Sequence, residues 1–379
     1  MAKTTGDSYQ KKFDRIHKAI RLEPVDRIPV IFAGMAFAPR YLGMSMEDFC
    51  ADPEAPVDTA LDTMDKLGGF DGINAALFGR LTAVLPAMWL SRIGKPGREL
   101  PADSLWQVQE AEVMTIEDYD YIINKGWPAF VRYYLPRVTD VADFDDASGW
   151  IAKNAARCIK RFPERNYVVI SATSVAPPYE NFCGGRSMEK FIGDLYRIPD
   201  KVQAAMDAAL PDIIQNAIGS SKASGSTGVW VGGWRTASSL VSPRLMNRFV
   251  WPYIVKIVDA LIAAGLTPIF HWDQDWTQDL VRLQEVPAKK CILNPDGMTD
   301  MRQFKKLAGD RVAMMGDVPS TLFVTGTPKD IYNYVKGLVE LFGATGLLLC
   351  PGCDAPINAR PENMEAFVAA SHQLGIPKK

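Results

Sequence analysis

The sequence of 379 residues is poor in the two side chains that most often build metal and redox sites, with only three histidines and six cysteines. Because His17, His271 and His372 are the only imidazoles, a metal centre made of several neighbouring histidines is not expected. The cysteines are scattered apart from Cys350 and Cys353, and no secretory signal is recognisable in the sequence. We therefore expect no disulfide scaffold and predict a reduced, cytoplasmic protein.

An excess of charge of one sign is also lacking. The 42 lysines and arginines nearly balance the 44 aspartates and glutamates, so the net charge is -2 and we expect no nucleic-acid partner. The most apolar stretch, residues 249–270, contains Lys256 and Asp259 and is interrupted by Gly265 and Pro268. Since unpaired charges inside a membrane span are costly, we interpret this stretch as a buried helix and strand, with no membrane insertion.

Short apolar runs recur along the chain, each followed by a turn and a segment with helical spacing. Such runs are typical of parallel strands covered by helices on both faces. Eight of them predict a (β/α)8 barrel of the α/β class, with a doubly wound open sheet as the alternative. No Gly-x-Gly-x-x-Gly motif follows the first run, which argues against the dinucleotide-binding form of that open sheet. The predicted strands are residues 27–33, 70–74, 167–172, 229–233, 267–271, 291–294, 312–316 and 346–350.

Residues 75–166 exceed what a barrel needs, because a plain barrel takes about 250 residues. The segment contains Trp89, Trp106 and Trp127 and is too apolar to be a linker. We therefore interpret residues 1–379 as a single barrel domain. In this interpretation residues 75–166 are an insertion that packs over the barrel mouth as a lid.

Side chains with metal-binding and catalytic chemistry follow the predicted strands, whose carboxyl ends carry the active site in barrels of this kind. His271 and Asp273 end the fifth strand and, two residues apart, project in the same direction. Asp296 follows the sixth strand, Asp317 the seventh, and Cys350 and Cys353 the eighth. These groups are sufficient for a zinc site with one position open to substrate. The alternatives are structural: a hydrogen-bonded core histidine, a turn at the cysteines and a helix cap at Asp317.

Four segments resemble the uroporphyrinogen decarboxylase superfamily and together extend over nearly the whole chain. Residues 15–30 (RIHKAIRLEPVDRIPV) are similar to its opening helix and first strand entry. Residues 242–271 resemble the helix and strand that lead to its active-site histidine. Residues 316–336 resemble its Gly-Asn/Asp-Val and Gly-Thr-Pro segment, and residues 350–370 its Pro-Gly-Cys turn and last helix.

The two branches of this superfamily carry different residues. The decarboxylases have an Arg-Gln-Ala-Gly-Arg-Tyr run after the first strand, whereas residues 33–41 here read AGMAFAPRY and keep only Arg40. Since several carboxylates on a porphyrinogen require several cations, this difference argues against the decarboxylase. The other branch consists of zinc-dependent methyltransferases, with a His-x-Cys pair after the fifth strand and a cysteine in the Pro-Gly-Cys turn. His271 and Cys353 match that pattern, and Asp273 replaces the first cysteine.

The resemblance to this second branch implies zinc held by His271, Cys353 and one or both of Asp273 and Asp296, with Cys350 as a further option. An oxygen ligand in place of a thiolate leaves zinc more electrophilic and better matched to an oxygen substrate. We therefore predict O-demethylation, in which the methyl group of a methoxylated aromatic compound passes to cobalt(I) of a corrinoid. Because a cobalamin-binding Asp-x-His-x-x-Gly motif is lacking, the corrinoid must arrive on a separate corrinoid-binding protein.

The predicted catalytic residues are His271, Asp273 and Asp317, the last as a ligand-orienting or proton-transferring group. Aromatic side chains near the predicted mouth offer an apolar substrate pocket. For this pocket we select Tyr179, Phe182, Trp234 and Trp272, and we interpret Trp230 as barrel core. The remaining cysteines, Cys50, Cys158, Cys183 and Cys291, are predicted to pack as small hydrophobic residues.

Two other functions remain open at this point. One is a metal-free decarboxylase acting on a tetrapyrrole or another carboxylated ring. The other is a non-catalytic module that binds a corrinoid protein. Thiols, amines and methanol also remain open as methyl donors, as does the direction of transfer.

Overall fold

The computed structural model describes residues 6–376 and shows eight parallel strands arranged in a ring. The barrel strands are β1 (Ile31–Phe32), β2 (Gly72–Ala75), β5 (Val168–Val175), β6 (Gly228–Gly233), β7 (Thr267–Trp272), β8 (Ile292–Pro295), β9 (Ala313–Val318) and β10 (Leu347–Pro351). A separate antiparallel hairpin consists of β3 (Arg92–Gly94) and β4 (Gln107–Gln109). The ring order is β1-β2-β5-β6-β7-β8-β9-β10. It closes where Val30 pairs in parallel with Leu349, so the (β/α)8 prediction is confirmed.

Helices occupy the connections between the strands and surround the ring. The helices are α1 (Tyr9–Ile20), α2 (Phe37–Tyr41), α3 (Met46–Ala51), α4 (Ala55–Leu67), α5 (Leu81–Trp89), α6 (Ile116–Lys125), α7 (Trp127–Tyr134), α8 (Val141–Glu164), α9 (Pro178–Arg186), α10 (Met188–Arg197), α11 (Pro199–Ser224), α12 (Pro243–Leu245), α13 (Trp251–Ala263), α14 (Met301–Ala308), α15 (Ser320–Thr325), α16 (Pro328–Phe342) and α17 (Pro361–Leu374). Single 3-10 segments lie at Leu135–Arg137 and Thr277–Gln284, and a π-helical turn at Met246–Val250. Within residues 6–376, no helix is both long enough and apolar enough to span a membrane.

Helical spacing over residues 243–264 predicts one continuous helix, but the structure divides it. α12 and α13 are separated by the π-helical turn Met246–Val250. Pro252 lies in the first turn of α13, where the missing proline N–H is tolerated, whereas it would interrupt the hydrogen bonds of an unbroken helix. The β3–β4 hairpin is also absent from the predictions, because three-residue strands are too short to show an alternating pattern.

Side chains alternate between the inside of the barrel and the layer beneath the helices. On β7, Ile269 packs inside the barrel, whereas Phe270 and Trp272 pack in the outer layer. This alternation follows from the two-residue period of an extended strand. The inner core consists of Ile31, Ala33, Val168, Ile170, Ile269, Ile292, Ala313, Met315, Leu348 and Cys350, with Ile16, Ala19 and Ile20 of α1 in the same cluster.

The insertion, residues 75–166, contains the β3–β4 hairpin and the helices α5 to α8. Its aromatic side chains Trp127, Phe130 and Tyr134 are buried against Phe182 and Leu90 in the outer core. The segment is therefore continuous with the barrel core. Its action as a lid stays a prediction.

A buried ionic group attaches α1 and the first strand to the chain before β2. The fully buried Asp71 carboxylate accepts hydrogen bonds from Arg15 at 2.7 Å, from Arg27 at 2.6 and 2.7 Å, and from the Val30 amide at 2.9 Å. Arg15 is also buried and donates to Asp26 at 2.7 Å. Buried charges are tolerated only when their partners are present, so these groups depend on one another.

We expect Asp71→Ala to lower the free energy of unfolding by about 3–5 kcal/mol, because it leaves the buried Arg15 and the partly buried Arg27 without their shared carboxylate. Urea or thermal unfolding followed by circular dichroism measures this loss. The control is Asp103→Ala, which removes the exposed ion pair with Arg40 and should cost about 1 kcal/mol or less. Equal effects of the two substitutions would contradict the structural role of Asp71.

Candidate functional site

His271 lies at the carboxyl end of β7 with its ring inside the barrel. The side chain is buried, and its ring stacks on the Trp230 indole with centroids 4.0 Å apart and an interplanar angle of 12°. Trp230 packs against the inner barrel core, as the sequence predicts, and its partly buried indole also forms one wall of the histidine site.

Cys353 reaches the same place from the loop that follows β10. Gly352 precedes it, and a Cβ atom there would lie 2.8 Å from the Pro295 carbonyl oxygen, so only glycine allows the loop to approach the end of β8. The Asp354 carboxylate then accepts hydrogen bonds from the amides of Met35 and Ala36 at 2.5 and 2.8 Å. These contacts fix the cysteine between the ends of β1 and β8.

Three predicted site residues meet at this point. His271 Nε2 lies 3.5 Å from Asp273 Oδ1 and 3.6 Å from Cys353 Sγ, and the ligand atoms of all three residues lie within 4.8 Å of one another. Asp273 and Cys353 are partly exposed, whereas His271 is buried. A nitrogen, an oxygen and a sulfur atom at this spacing can hold a metal ion.

The charge around His271 Nε2 favours a cation. Burial by itself lowers the pKa of His271, but the hydrogen bonds to Asp273 and Cys353 outweigh burial, and the pKa lies well above its ordinary value. The acceptors that face Nε2 therefore favour the protonated, positively charged imidazole.

A network of amide side chains lies behind the histidine ring. His271 Nδ1 is 2.9 Å from Asn294 Oδ1, which also accepts a hydrogen bond from Asn74 Nδ2 at 3.0 Å. Asn74 Oδ1 in turn accepts from the Trp230 indole N–H at 2.8 Å. Asn74 and Asn294 are fully buried. Their roles are not visible in the sequence, since no local pattern shows that asparagines 220 residues apart touch.

The other predicted rim residues lie outside the three-residue group. Asp296 accepts hydrogen bonds from the amides of Gln274 and Met298, at 2.8 and 2.9 Å, so it orders the loop that follows Asp273. Burial raises the pKa of Asp296. Cys350 is fully buried in the barrel core, where burial raises its pKa well above the ordinary value.

Asp317 is buried at the end of β9 and accepts a hydrogen bond from the Tyr334 hydroxyl of α16 at 3.1 Å. Burial raises the pKa of Asp317 to about 7. The carboxyl group does not act as a helix cap, because α15 begins without a side-chain cap. Its catalytic role stays a prediction.

The aromatic residues selected for a substrate pocket differ in their surroundings. Tyr179 is buried edge-on against Phe191, and Phe182 is buried against Tyr119. Trp272 is fully buried on the outer face of β7, with its ring 4.2 Å from that of Trp276, because neighbouring residues of a strand point in opposite directions. In this structure these three rings therefore contact protein on all sides.

Trp234 is the one selected aromatic residue that is partly exposed. Its ring lies 5.8 Å from that of Trp89 on α5. The loop that carries it is fixed by Glu180, a buried carboxyl whose Oε1 accepts hydrogen bonds from the Trp234 and Arg235 amides and the Thr236 hydroxyl, each at 2.9 Å. Burial raises the pKa of Glu180 to about 7. No local sequence pattern indicates the role of this carboxyl, because its partners lie 54 to 56 residues away.

Partly exposed apolar side chains continue from Trp89 toward the loop that carries Cys353. They belong to one cluster, and they are Met35 after β1, Leu81, Leu85 and Trp89 of α5, and Ile357 beyond Cys353. α5 is apolar throughout (LTAVLPAMW), and its residues Leu81, Val84, Leu85 and Met88 stay partly exposed. We call these residues, namely Met35, Leu81, Val84, Leu85, Met88, Trp89 and Ile357, the α5 wall. It offers a partly exposed apolar surface.

A closed parallel barrel with polar side chains gathered at the carboxyl ends of its strands is the architecture of (β/α)8 enzymes. The uroporphyrinogen decarboxylase (URO-D) family profile matches residues 111–374, which is more than half of the sequence, and this chain belongs to that family. The three-residue group lies within the matched region.

Curated relatives and a solved structure agree with this membership. The uroporphyrinogen decarboxylase of Aliivibrio salmonicida is 26% identical over 393 residues, covering 97% of this chain and 98% of the relative. That of Vibrio campbellii is 27% identical with the same coverage. A solved structure of a methyltransferase from Methanosarcina mazei superposes with a TM-score of 0.71 at 17% identity, covering 95% of this chain and 97% of that one. At this identity the superposition shows a shared fold.

Of the six cysteines, Cys353 alone is partly exposed. We expect a thiol reagent such as DTNB to modify one cysteine rapidly in the folded protein and mass spectrometry to locate it at Cys353. Cys353→Ser should abolish the rapid reaction, whereas Cys350→Ser should leave it unchanged because Cys350 is buried. Rapid labelling at any other cysteine would contradict the placement of the loop.

Proposed function

We propose that this chain is the substrate-side methyltransferase of a corrinoid-dependent O-demethylase system. It would move a methyl group from an O-methyl donor, preferably a methoxylated aromatic compound, to cobalt(I) of a corrinoid carried by a separate protein. The observation that carries the proposal is the convergence of His271 Nε2, Asp273 Oδ1 and Cys353 Sγ at the barrel mouth.

Zinc fits the residues that are present. Ligand atoms on a tetrahedral zinc ion with bonds of about 2.0–2.3 Å lie roughly 3.3–3.6 Å apart. Two of the three ligand-atom distances, 3.5 Å from His271 to Asp273 and 3.6 Å from His271 to Cys353, agree with this spacing, and all three atoms lie within 4.8 Å of one another. Three protein ligands leave one position for substrate, as catalytic zinc sites require. Asp296 is left out of this ligand set, because its oxygens accept two backbone hydrogen bonds.

In this proposal, zinc supplies Lewis acidity toward the ether oxygen of the substrate. His271, Asp273 and Cys353 would hold the ion, and the carboxylate would make the ligand set harder than one of two thiolates. Methyl transfer would break the O–CH3 bond with its electron pair left on oxygen, and cobalt(I) of the partner's corrinoid would supply the electron pair that binds the methyl group. The leaving oxygen then gains a proton from solvent.

The α5 wall supports an apolar methyl donor. Its residues Leu81 and Leu85 share one apolar cluster with Met35 and Ile357, which flank the Asp354 contact and the Cys353 loop, and Trp89 in the same cluster lies 5.8 Å from Trp234. An aromatic ring can pack on such a surface while its methoxy group faces His271. This surface gives methoxyarenes an advantage over methanol, which has no ring to bury.

Decarboxylation is the second candidate, because the named curated relatives are uroporphyrinogen decarboxylases. That reaction requires cations to bind the carboxylates of the substrate. Arg40, the arginine kept from the family run, is exposed and pairs with Asp103 at 3.2 Å. We therefore favour methyl transfer, and a measurement of uroporphyrinogen decarboxylation without metal tests the alternative directly.

We expect the purified protein, treated with a chelator and dialysed, to bind one equivalent of zinc, as measured by competition with a chromophoric chelator. His271→Ala and Cys353→Ser should each weaken binding more than the roughly 10–100-fold that is typical when a residue behind a ligand is lost. Cys350→Ser should keep wild-type affinity, because its thiol lies outside the ligand group. Wild-type affinity in both ligand variants would show that the ion binds elsewhere.

We expect the zinc-loaded protein to methylate cob(I)alamin, followed by the change in its visible spectrum, with methoxyarenes as donors. Methanol and methylthiols should react more slowly, because they lack a ring for the α5 wall. His271→Ala should abolish turnover. Decarboxylation of uroporphyrinogen without methyl transfer from any donor would refute the proposed function and support the second candidate.

A further inference from the structure

The amide of Asn294 has only one orientation that satisfies its surroundings. One end of the side chain faces two backbone carbonyl oxygens, those of Met315 at 2.7 Å and Gly352 at 3.1 Å. Carbonyl oxygens only accept hydrogen bonds, so this end must be the NH2 group, which donates one hydrogen to each. The other end is therefore the oxygen, which faces His271 Nδ1 at 2.9 Å and Asn74 Nδ2 at 3.0 Å.

This orientation determines which nitrogen of His271 carries a hydrogen. An oxygen at 2.9 Å accepts, so Nδ1 must donate and carry the hydrogen, and Nε2 is left to face Asp273 and Cys353. The Asn74 amide has its own orientation set, because its oxygen accepts from the Trp230 indole, which only donates. The ring nitrogen of His271 that carries the hydrogen is therefore determined by neighbours whose donor and acceptor roles are fixed.

Asn294 also contacts the second element of the site. Gly352 immediately precedes Cys353, so the hydrogen bond to the Gly352 carbonyl holds the turn that presents the thiol. The same fully buried side chain therefore contacts the His271 ring and the Cys353 turn across β8, β9 and the end of β10. A side chain that could rotate would release both together.

We infer that Asn294 is the positioning residue of the His271–Asp273–Cys353 group: its oxygen holds the hydrogen on His271 Nδ1 and its NH2 group holds the Cys353 turn. This inference rests on the proposed function only where it treats the His271–Asp273–Cys353 group as a metal site. The position of the hydrogen on His271 Nδ1 does not depend on that function. Partners behind a ligand histidine commonly contribute 10–100-fold to metal affinity. The same range is expected for Asn294.

The chain contains only three histidines, so ¹⁵N-histidine labelling gives a simple imidazole spectrum. We expect His271 to show a hydrogen on Nδ1 in the wild-type protein, with and without added zinc. His372 provides an internal reference of the opposite kind, because its Nε2 lies 2.7 Å from the Gly69 carbonyl oxygen and must carry the hydrogen there. A wild-type His271 without a hydrogen on Nδ1 would overturn the inference whatever the metal result.

Two substitutions distinguish the contact of Asn294 with His271 from its contact with the Cys353 turn, because one removes both contacts and the other keeps the first. Asn294→Leu removes both and should lose the Nδ1–H signal through solvent exchange and weaken zinc binding roughly 10–100-fold. Asn294→Asp keeps an oxygen for His271 but places a carboxylate against two carbonyl oxygens, so it should keep the Nδ1 hydrogen and still weaken zinc binding. If Asn294→Leu does not fold, Asn294→Asp and the wild-type spectrum still decide the question.

The matched control is Asn363→Leu. Asn363 is also fully buried and donates to two carbonyl oxygens, those of Phe323 and Gly326, at 3.0 and 2.9 Å. Its loss should destabilise the fold without changing the His271 spectrum or zinc affinity. Unchanged spectrum and affinity in both Asn294 variants, with zinc bound by the wild type, would overturn the inference and leave the proposed function intact. A wild type that binds no zinc but keeps the Nδ1 hydrogen would refute the proposed function alone.

Discussion

The alternation of side chains along β7 is the constraint on which the candidate site depends. The pairing of His271 with Asn294 on β8 directs the imidazole into the barrel and Trp272 into the layer beneath the helices. A shift of one residue along either strand would exchange the two faces, exposing the indole to the barrel and removing the histidine from its partners. The hydrogen bonds between β7 and β8 therefore also bring His271 to its partners.

The two ends of the barrel use charge differently. At the amino end, Asp71 is fully matched by Arg15 and Arg27, which is how a buried charge contributes to a stable structure. At the carboxyl end, His271 lies next to Asp273 and Cys353, and the pKa of His271 is raised well above its ordinary value. Burial raises the pKa of Asp317 to about 7, and the Tyr334 hydroxyl is its side-chain partner. Raised carboxyl pKa values of this kind are concentrated at functional sites, whereas the ion pairs at the amino end lower the pKa of Asp7 and Asp26.

The fold was predictable because its information is local. Each barrel strand is a short run that is apolar on both faces, and each of the eight runs coincides with an observed strand. His271, Asp273 and Cys353 were also predictable, since a strand end is visible in the sequence and barrel topology brings such ends together. Trp230 and Asn294 were not, because their roles depend on contacts between strands distant in the sequence. The burial of Tyr179 and Phe182 was not predictable for a similar reason: on α9, Phe182 packs against Tyr119 and Trp127 of the insertion and Tyr179 against Phe191, so their role in a substrate pocket stays a prediction.

Membership in the URO-D family does not by itself determine the reaction, which depends on a few side chains at the barrel mouth. A site for a substrate with several carboxylates must present positive charge, and the arginine that survives from the family run is exposed and paired with Asp103. The mouth of this barrel instead places a carboxylate and a thiol next to one imidazole, an arrangement that attracts a cation. In the proposed function, a cation held by this group would act as an electrophilic centre, and a barrel of this family would then activate a neutral ether. We therefore base the proposed reaction on the side chains at the mouth more than on the identity of about 26% to a curated relative.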